Sequence, residues 1–181
     1  MRGREIAPIT LEEKMMFEDL VEDYKNNIAK LISLCEGKTI VFDFDGVLTK
    51  FQYAENRMLP CRDDDVHDYA LSGGNIYQNV PIQKTLQYII SQLPKENIWV
   101  LTQTIPIMRN IKNEVIIKNF DIPVERIIHS DSALHKLVFL KEIYAQTNKP
   151  ILFVEDTVST LLRAEEDMDY VQGFHISGLI P

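Results

Sequence analysis

The sequence predicts a doubly wound α/β domain with a mainly parallel sheet. Three observations point there: short apolar runs alternate with helical patterns, the 181 residues and 45 % hydrophobic content suffice for one core, and two of the runs end in paired acids. The chain opens with a predicted helix over 10–36, started by a Thr10–Glu13 capping box and stopped by Gly37. Phe17, Leu20, Val21, Tyr24, Ile28, Leu31, Ile32 and Cys35 recur along it at steps of three and four. Residues 1–37 are thus expected to form a helical extension that packs on the core or on a dimer partner, and 38–181 the main domain. Strands are predicted at 39–44, 98–101, 126–129, 151–154 and 170–175. Helices fit between them at 82–93, about 107–119, 132–147 and 157–168. Residues 50–80 have no clear period and are expected to be a loop or small hairpin. A parallel sheet places ligands at the carboxyl ends of its strands, so the residues just after each strand matter most.

Composition narrows the function. No run approaches the ~18 apolar residues of a membrane helix, and the first residues lack the apolar centre of a signal peptide, so an intracellular, cytoplasmic protein without a membrane partner is expected. Cys35 and Cys61 have no CxxC spacing and read as reduced thiols. A formal charge of −8 disfavours binding to duplex nucleic acid and means that a small anionic substrate needs local cations.

The first predicted strand runs into Asp43-Phe44-Asp45-Gly46, and the fourth into Glu155-Asp156-Thr157. A carboxylate at the end of a buried strand is costly unless it is paired, hydrogen-bonded or metal-bound. In a parallel sheet both acidic pairs fall on one rim, giving an oxygen-rich cluster without His or Cys that suits Mg²⁺. The second strand leads into Thr102-Gln103-Thr104, adding hydroxyls and amides to that rim. Lys136 opens a helical pattern, where the helix dipole disfavours a cation unless an anion is near.

The segments DFDGVLT, VLT, the downstream helix lysine and VEDT resemble, in order, the four motifs of the haloacid dehalogenase superfamily, over about residues 38–177. The resemblance implies a Rossmann-like three-layer α/β/α domain, Mg²⁺, and phosphoryl transfer through aspartate. It makes Asp43 the nucleophile and Asp45 the general acid and base, protonated among neighbouring carboxylates. Thr102 would hold a phosphoryl oxygen, and Lys136 would neutralise Asp43 and the phosphate, in preference to Lys141. Metal ligands would be Asp43, Asp45 through its backbone carbonyl, Glu155 and Asp156. Thr160 stands where many members carry a further acid. An aspartate at position 45 points to a phosphatase or phosphomutase acting on a phosphorylated substrate, with a non-catalytic protein that binds a phosphorylated ligand or partner as the rival.

Neither inter-motif gap holds a cap domain, so the resemblance is to the capless type, whose open site accepts large substrates or is closed by a partner subunit, a homo-oligomer included. Gly46 and Gln103 are candidate substrate contacts. Lys50, Arg57 and Arg62, in the 50–80 stretch that must cross the rim, are candidates for the local cation. His67, His129, His135 and His175 are scattered and read as structural or exposed.

Overall fold

The computed structural model describes residues 10–50 and 68–180, apart from the side chains of residues 12 and 13. The side chain of the capping-box partner Glu13 and the Cys61–Asp68 loop up to His67, with Arg57 and Arg62, therefore lie outside what is described. Five strands form one all-parallel sheet in the order β3-β2-β1-β4-β5. They are β1 (Thr39–Phe42), β2 (Ile98–Gln103), β3 (Ile127–Ser130), β4 (Ile151–Glu155) and β5 (Val171–His175). The helices are α1 (Leu11–Leu34), α2 (Lys84–Gln92), α3 (Arg109–Phe120), α4 (Ala133–Thr147) and α5 (Val158–Asp167).

The alternation of side chains along each strand divides the core in two. Ile40, Phe42, Ile98, Val100, Leu152 and Val154 face α1, α2 and α3, where Leu31, Leu86, Ile89 and Ile116 are fully buried. Val41, Leu101, Ile151 and Phe153 face the opposite way, onto Leu137, Leu140 and Ile143 of α4 and Leu161 and Ala164 of α5. The result is the three-layer, Rossmann-like architecture expected, with an N-terminal helix and, among the described residues, no cap-sized insertion. No described helix is long and apolar enough to cross a membrane.

β1 is central, paired to β2 on one side and β4 on the other. The chain leaves β1 toward β2 and β3, then returns across to β4 and β5. Strand order therefore reverses between β1 and β4, which opens a crevice at their carboxyl ends.

The first strand is shorter than its apolar run. Pairing ends as the Asp43 amide donates to the Val154 carbonyl at 2.9 Å. The chain then winds tightly through Phe44–Leu48, with Gly46 at φ +75°, and the Thr49 amide closes the turn on the Phe44 carbonyl at 3.0 Å. Phe44, Val47 and Leu48 are fully buried, so this turn is held by core packing, which simple strand alternation does not reveal. β2 runs two residues past the predicted end because Thr102 and Gln103 pair with His129 and Ser130.

The 50–80 stretch is fastened at its base by an antiparallel bridge between Thr49 and Ile82, with the Lys50 amide on the Pro81 carbonyl at 2.9 Å. Its described part includes a helical turn at 68–71 rather than a hairpin strand. It brings Tyr77 back against the core, edge-on to the Phe44 ring with centroids 5.4 Å apart.

α1 packs on the core through its second half, where Leu31 is buried, as is Cys35 just past its end. Its first half leaves Leu11, Met15, Phe17, Leu20 and Val21 exposed. Gly37, expected as the helix terminator, stands in the turn that follows the helix end at Leu34, at φ +70° with open space where a Cβ would stand. Gly37→Ala should thus lower stability by about 1 kcal/mol through backbone strain alone, read as a small fall in thermal midpoint without loss of fold.

Candidate active site

The crevice collects the acids that end β1 and β4. Asp43 is 6 % exposed, and its Oδ2 lies 3.1 Å from Lys136 Nζ. Its Oδ1 is buried and has no hydrogen-bond partner among the described residues. Burial, opposed by Lys136 and reinforced by the like charges of Glu155 and Asp45, pushes the Asp43 carboxyl up to about 6.

Lys136 reaches this point from the first turn of α4, whose N-cap Ser132 accepts from the His135 amide at 3.2 Å. The same ammonium donates to Glu155 Oε2 at 2.7 Å. Glu155 Oε1 accepts from the amides of Asp156 at 3.1 Å and Thr157 at 3.2 Å. Burial alone would push both partners toward their neutral forms. The close contact and the two amides favour the ion pair instead, with Lys136 held above the ordinary lysine value by Asp43 and Glu155 against that desolvation. Lys141, the other candidate from the sequence, is exposed on α4.

Asp43, Glu155 and Asp156 each offer a carboxylate oxygen within 4.8 Å of the other two, a grouping able to hold a metal ion. The Asp45 carboxylate faces elsewhere. Its Oδ2 lies 2.7 Å from Lys112 Nζ, with the Tyr77 hydroxyl donating to the same oxygen at 3.4 Å. Asp45 is close enough to Asp43 to raise its carboxyl, and it also meets a cation that the sequence did not announce, brought in by α3.

Thr102 is fully buried, and its hydroxyl accepts from Lys112 at 3.0 Å. Gln103 is exposed, while its backbone carbonyl accepts from Lys112 at 2.9 Å. Gly46 sits half-buried in the turn after Asp45. His175 ends β5 beside the rim. Its Nε2 donates to the Asp156 carbonyl at 2.8 Å, so Nδ1 accepts, taking the Ser177 amide at 3.2 Å and steadying the loop that carries Asp156. His129 bonds Asn113 at 2.8 Å, and burial with the nearby Lys112 and Arg109 charges lowers it to about 4. His135 is exposed.

Sequence reasoning missed Lys112 and Tyr77. Lys112 is 1 % exposed in line with Met108, Ile116 and Phe120, which form a buried stripe at four-residue steps. A lysine inside such a stripe was the available signal, because a buried ammonium must find partners. Tyr77 carried none, since it lies in a stretch without period.

With all six groups charged, four carboxylates face two lysines, a local excess of two negative charges that one divalent cation balances. The arrangement can thus hold a cation, present a carboxylate oxygen to an electrophile, and exchange a proton through a second carboxyl two residues away. No protein-family model and no curated protein matches the chain.

Proposed function

We propose that this chain is a Mg²⁺-dependent phosphatase, similar to capless haloacid dehalogenase enzymes, that hydrolyses a phosphate monoester in the cytoplasm through an aspartyl-phosphate. The observation that carries the reading is Asp43 Oδ1, a buried carboxylate oxygen without a hydrogen-bond partner among the described residues, beside a lysine and two residues from a second aspartate. Such an oxygen suits both a nucleophile and a ligand atom.

The donor set fits Mg²⁺, with Asp43, Glu155 and Asp156 supplying only hard oxygens. The ion would supply positive charge to the phosphate oxygens and to the attacking carboxylate. Asp43 attacks phosphorus, and its new bond to phosphorus forms as the bond to the leaving oxygen breaks. Asp45 gives its proton to that oxygen, then takes one from the water that cleaves the acyl phosphate and frees Asp43. Lys136 neutralises Asp43 as the phosphate approaches and stabilises the transferring group. Thr102 and Gln103 lie at the same strand end, where they would orient phosphoryl oxygens.

The test is hydrolysis of an aryl phosphate and a panel of nucleotide, sugar, nucleic-acid-end and protein phosphates. Activity is expected to vanish with chelator and return with Mg²⁺, and Mg²⁺ should raise the thermal midpoint of wild type but not of Asp156→Asn. Restoration by Zn²⁺ alone would contradict the hard-oxygen site. Mg²⁺-dependent binding of phosphate esters with no turnover across the panel would favour a binding protein instead.

A further inference from the structure

Lys112 has three N–H donors and three acceptors around it: Asp45 Oδ2 at 2.7 Å, Thr102 Oγ1 at 3.0 Å and the Gln103 carbonyl at 2.9 Å. Every proton of the ammonium has a place to go, so the side chain can stay charged while 1 % exposed. The aromatic rings of Phe44 and Tyr77, each 5.4 Å from the nitrogen, add favourable charge–quadrupole contact. A group held this completely has one orientation. We infer that Lys112 is a positioning residue: as a tripod spanning β1 and β2, it fixes the Asp45 carboxyl for proton transfer and orients the Thr102 hydroxyl toward the phosphoryl group.

The inference rests on the phosphatase reading and follows from hydrogen-bond directionality. Lys112 binds one oxygen of Asp45, Oδ2, which fixes the rotation of the carboxyl and so the direction of its other oxygen. Tyr77 approaches the same Oδ2 and supports the same rotation. At Thr102, the ammonium can only donate, so the hydroxyl accepts and its own proton is turned toward another acceptor. Its alternative acceptor in the protein, the Gln103 carbonyl, is 3.5 Å away, a weak contact. A phosphoryl oxygen at the strand end would be the better one. The backbone leg on Gln103 anchors the ammonium to the sheet, so the two side chains are aimed relative to a rigid element.

A role in aiming Asp45 differs from a general structural role in how it depends on the leaving group. An alkoxide needs a proton as it departs, whereas 4-nitrophenolate leaves without one. Lys112→Met and the milder Lys112→Gln should lower kcat/KM for an alkyl phosphate by roughly 10²-fold or more, and for 4-nitrophenyl phosphate by about tenfold at most. Using kcat/KM confines the comparison to steps up to phosphoryl transfer onto Asp43. In the double variant with Asp45→Asn the Lys112 substitution should cost no more than about tenfold further on the alkyl ester, the share left to its hold on Thr102, because its carboxyl target is gone. Equal losses on both esters, or full additivity with Asp45→Asn, would overturn the inference.

Denaturant unfolding of the same single and double variants in chelator provides a readout independent of turnover. Lys112→Gln is expected to shift the midpoint less in the Asp45→Asn background than in wild type, and identical shifts would also overturn the pairing. A wild type inactive on both esters would refute the phosphatase reading, and with it the positioning role, while the unfolding cycle would still decide whether Lys112 and Asp45 are coupled.

Discussion

Asp43→Asn is expected to bring phosphate-ester hydrolysis down at least ~10⁴-fold, because an amide oxygen cannot displace an alkoxide from phosphorus, and Glu155, the other carboxylate beside Lys136, has both oxygens engaged by that lysine and by the amides of Asp156 and Thr157. The same variant should be more stable than wild type when metal is removed. The Asp43 carboxyl is pushed up to about 6 in the fold, above an ordinary value of 3.8, mainly by burial. Between those two pH values the native state keeps a proton that the unfolded chain has already released, so metal-free stability falls as pH rises through that window and stays lower above it. Asparagine has no such proton to lose. At pH 7.5 in chelator it should therefore gain on the order of 1–3 kcal/mol over wild type, and at pH 4 the gap should close. Denaturant unfolding at the two pH values measures this. A metal-free wild type whose stability rises across the window would contradict the buried, frustrated carboxylate.

Lys136→Met is expected to damage both activity and stability, in contrast to Asp43→Asn. The ammonium stands between Asp43 and Glu155, with contacts of 3.1 and 2.7 Å, and both carboxylates are buried. Removing it leaves two like charges with no cation between them, a loss of about 3–5 kcal/mol for a broken buried pair. Turnover should fall by roughly 10²–10³-fold or more, mainly in kcat, because the charge acts on the transferring phosphoryl group. Thermal melting and steady-state kinetics with saturating Mg²⁺ check the two halves. A loss confined to KM would mean that Lys136 only attracts substrate. Adding Glu155→Gln to Lys136→Met should recover part of the stability, since one of the stranded charges is then gone.

The opposite stability effects of these two substitutions have one origin. The crevice contains more negative charge than its lysines balance, so removing an acid relieves it and removing a base worsens it. Among the described residues Asp43 Oδ1 is the one carboxylate oxygen left buried without a hydrogen-bond partner, the costliest kind of polar atom to leave so. That frustration is the physical argument for a ligand at the strand ends, separate from any motif.

Much of this arrangement was legible in the chain. Asp43 and Glu155 stood out because an ionisable group ending an apolar run breaks the pattern that predicts the strand, and Gly46 marked the turn that follows. Lys136 was legible from its place at a helix start. The limits of β1 were less so, because Phe44 continues the apolar run while its backbone has already left the sheet. Lys112 was hidden by its type, since a lysine among Asn110, Ile111 and Asn113 reads as surface until α3 is rotated onto the sheet.

The sequence by itself determined the alternation of strands and helices, the parallel sense of the sheet, and the identity of the acids on one rim. Those are consequences of local periodicity and of connection rules, which need no knowledge of distant partners. Only the tertiary structure decided the strand order that puts β1 between β2 and β4, and the partner of each charge: Lys136 for Asp43 and Glu155, Lys112 for Asp45 across 67 residues of chain. Pairings of this kind depend on how each helix is turned about its axis when its apolar stripe seats on the sheet. A few tens of degrees of rotation would carry the Lys112 ammonium from the crevice to solvent, and it is the packing of Met108, Ile116 and Phe120 in the same stripe that sets the angle.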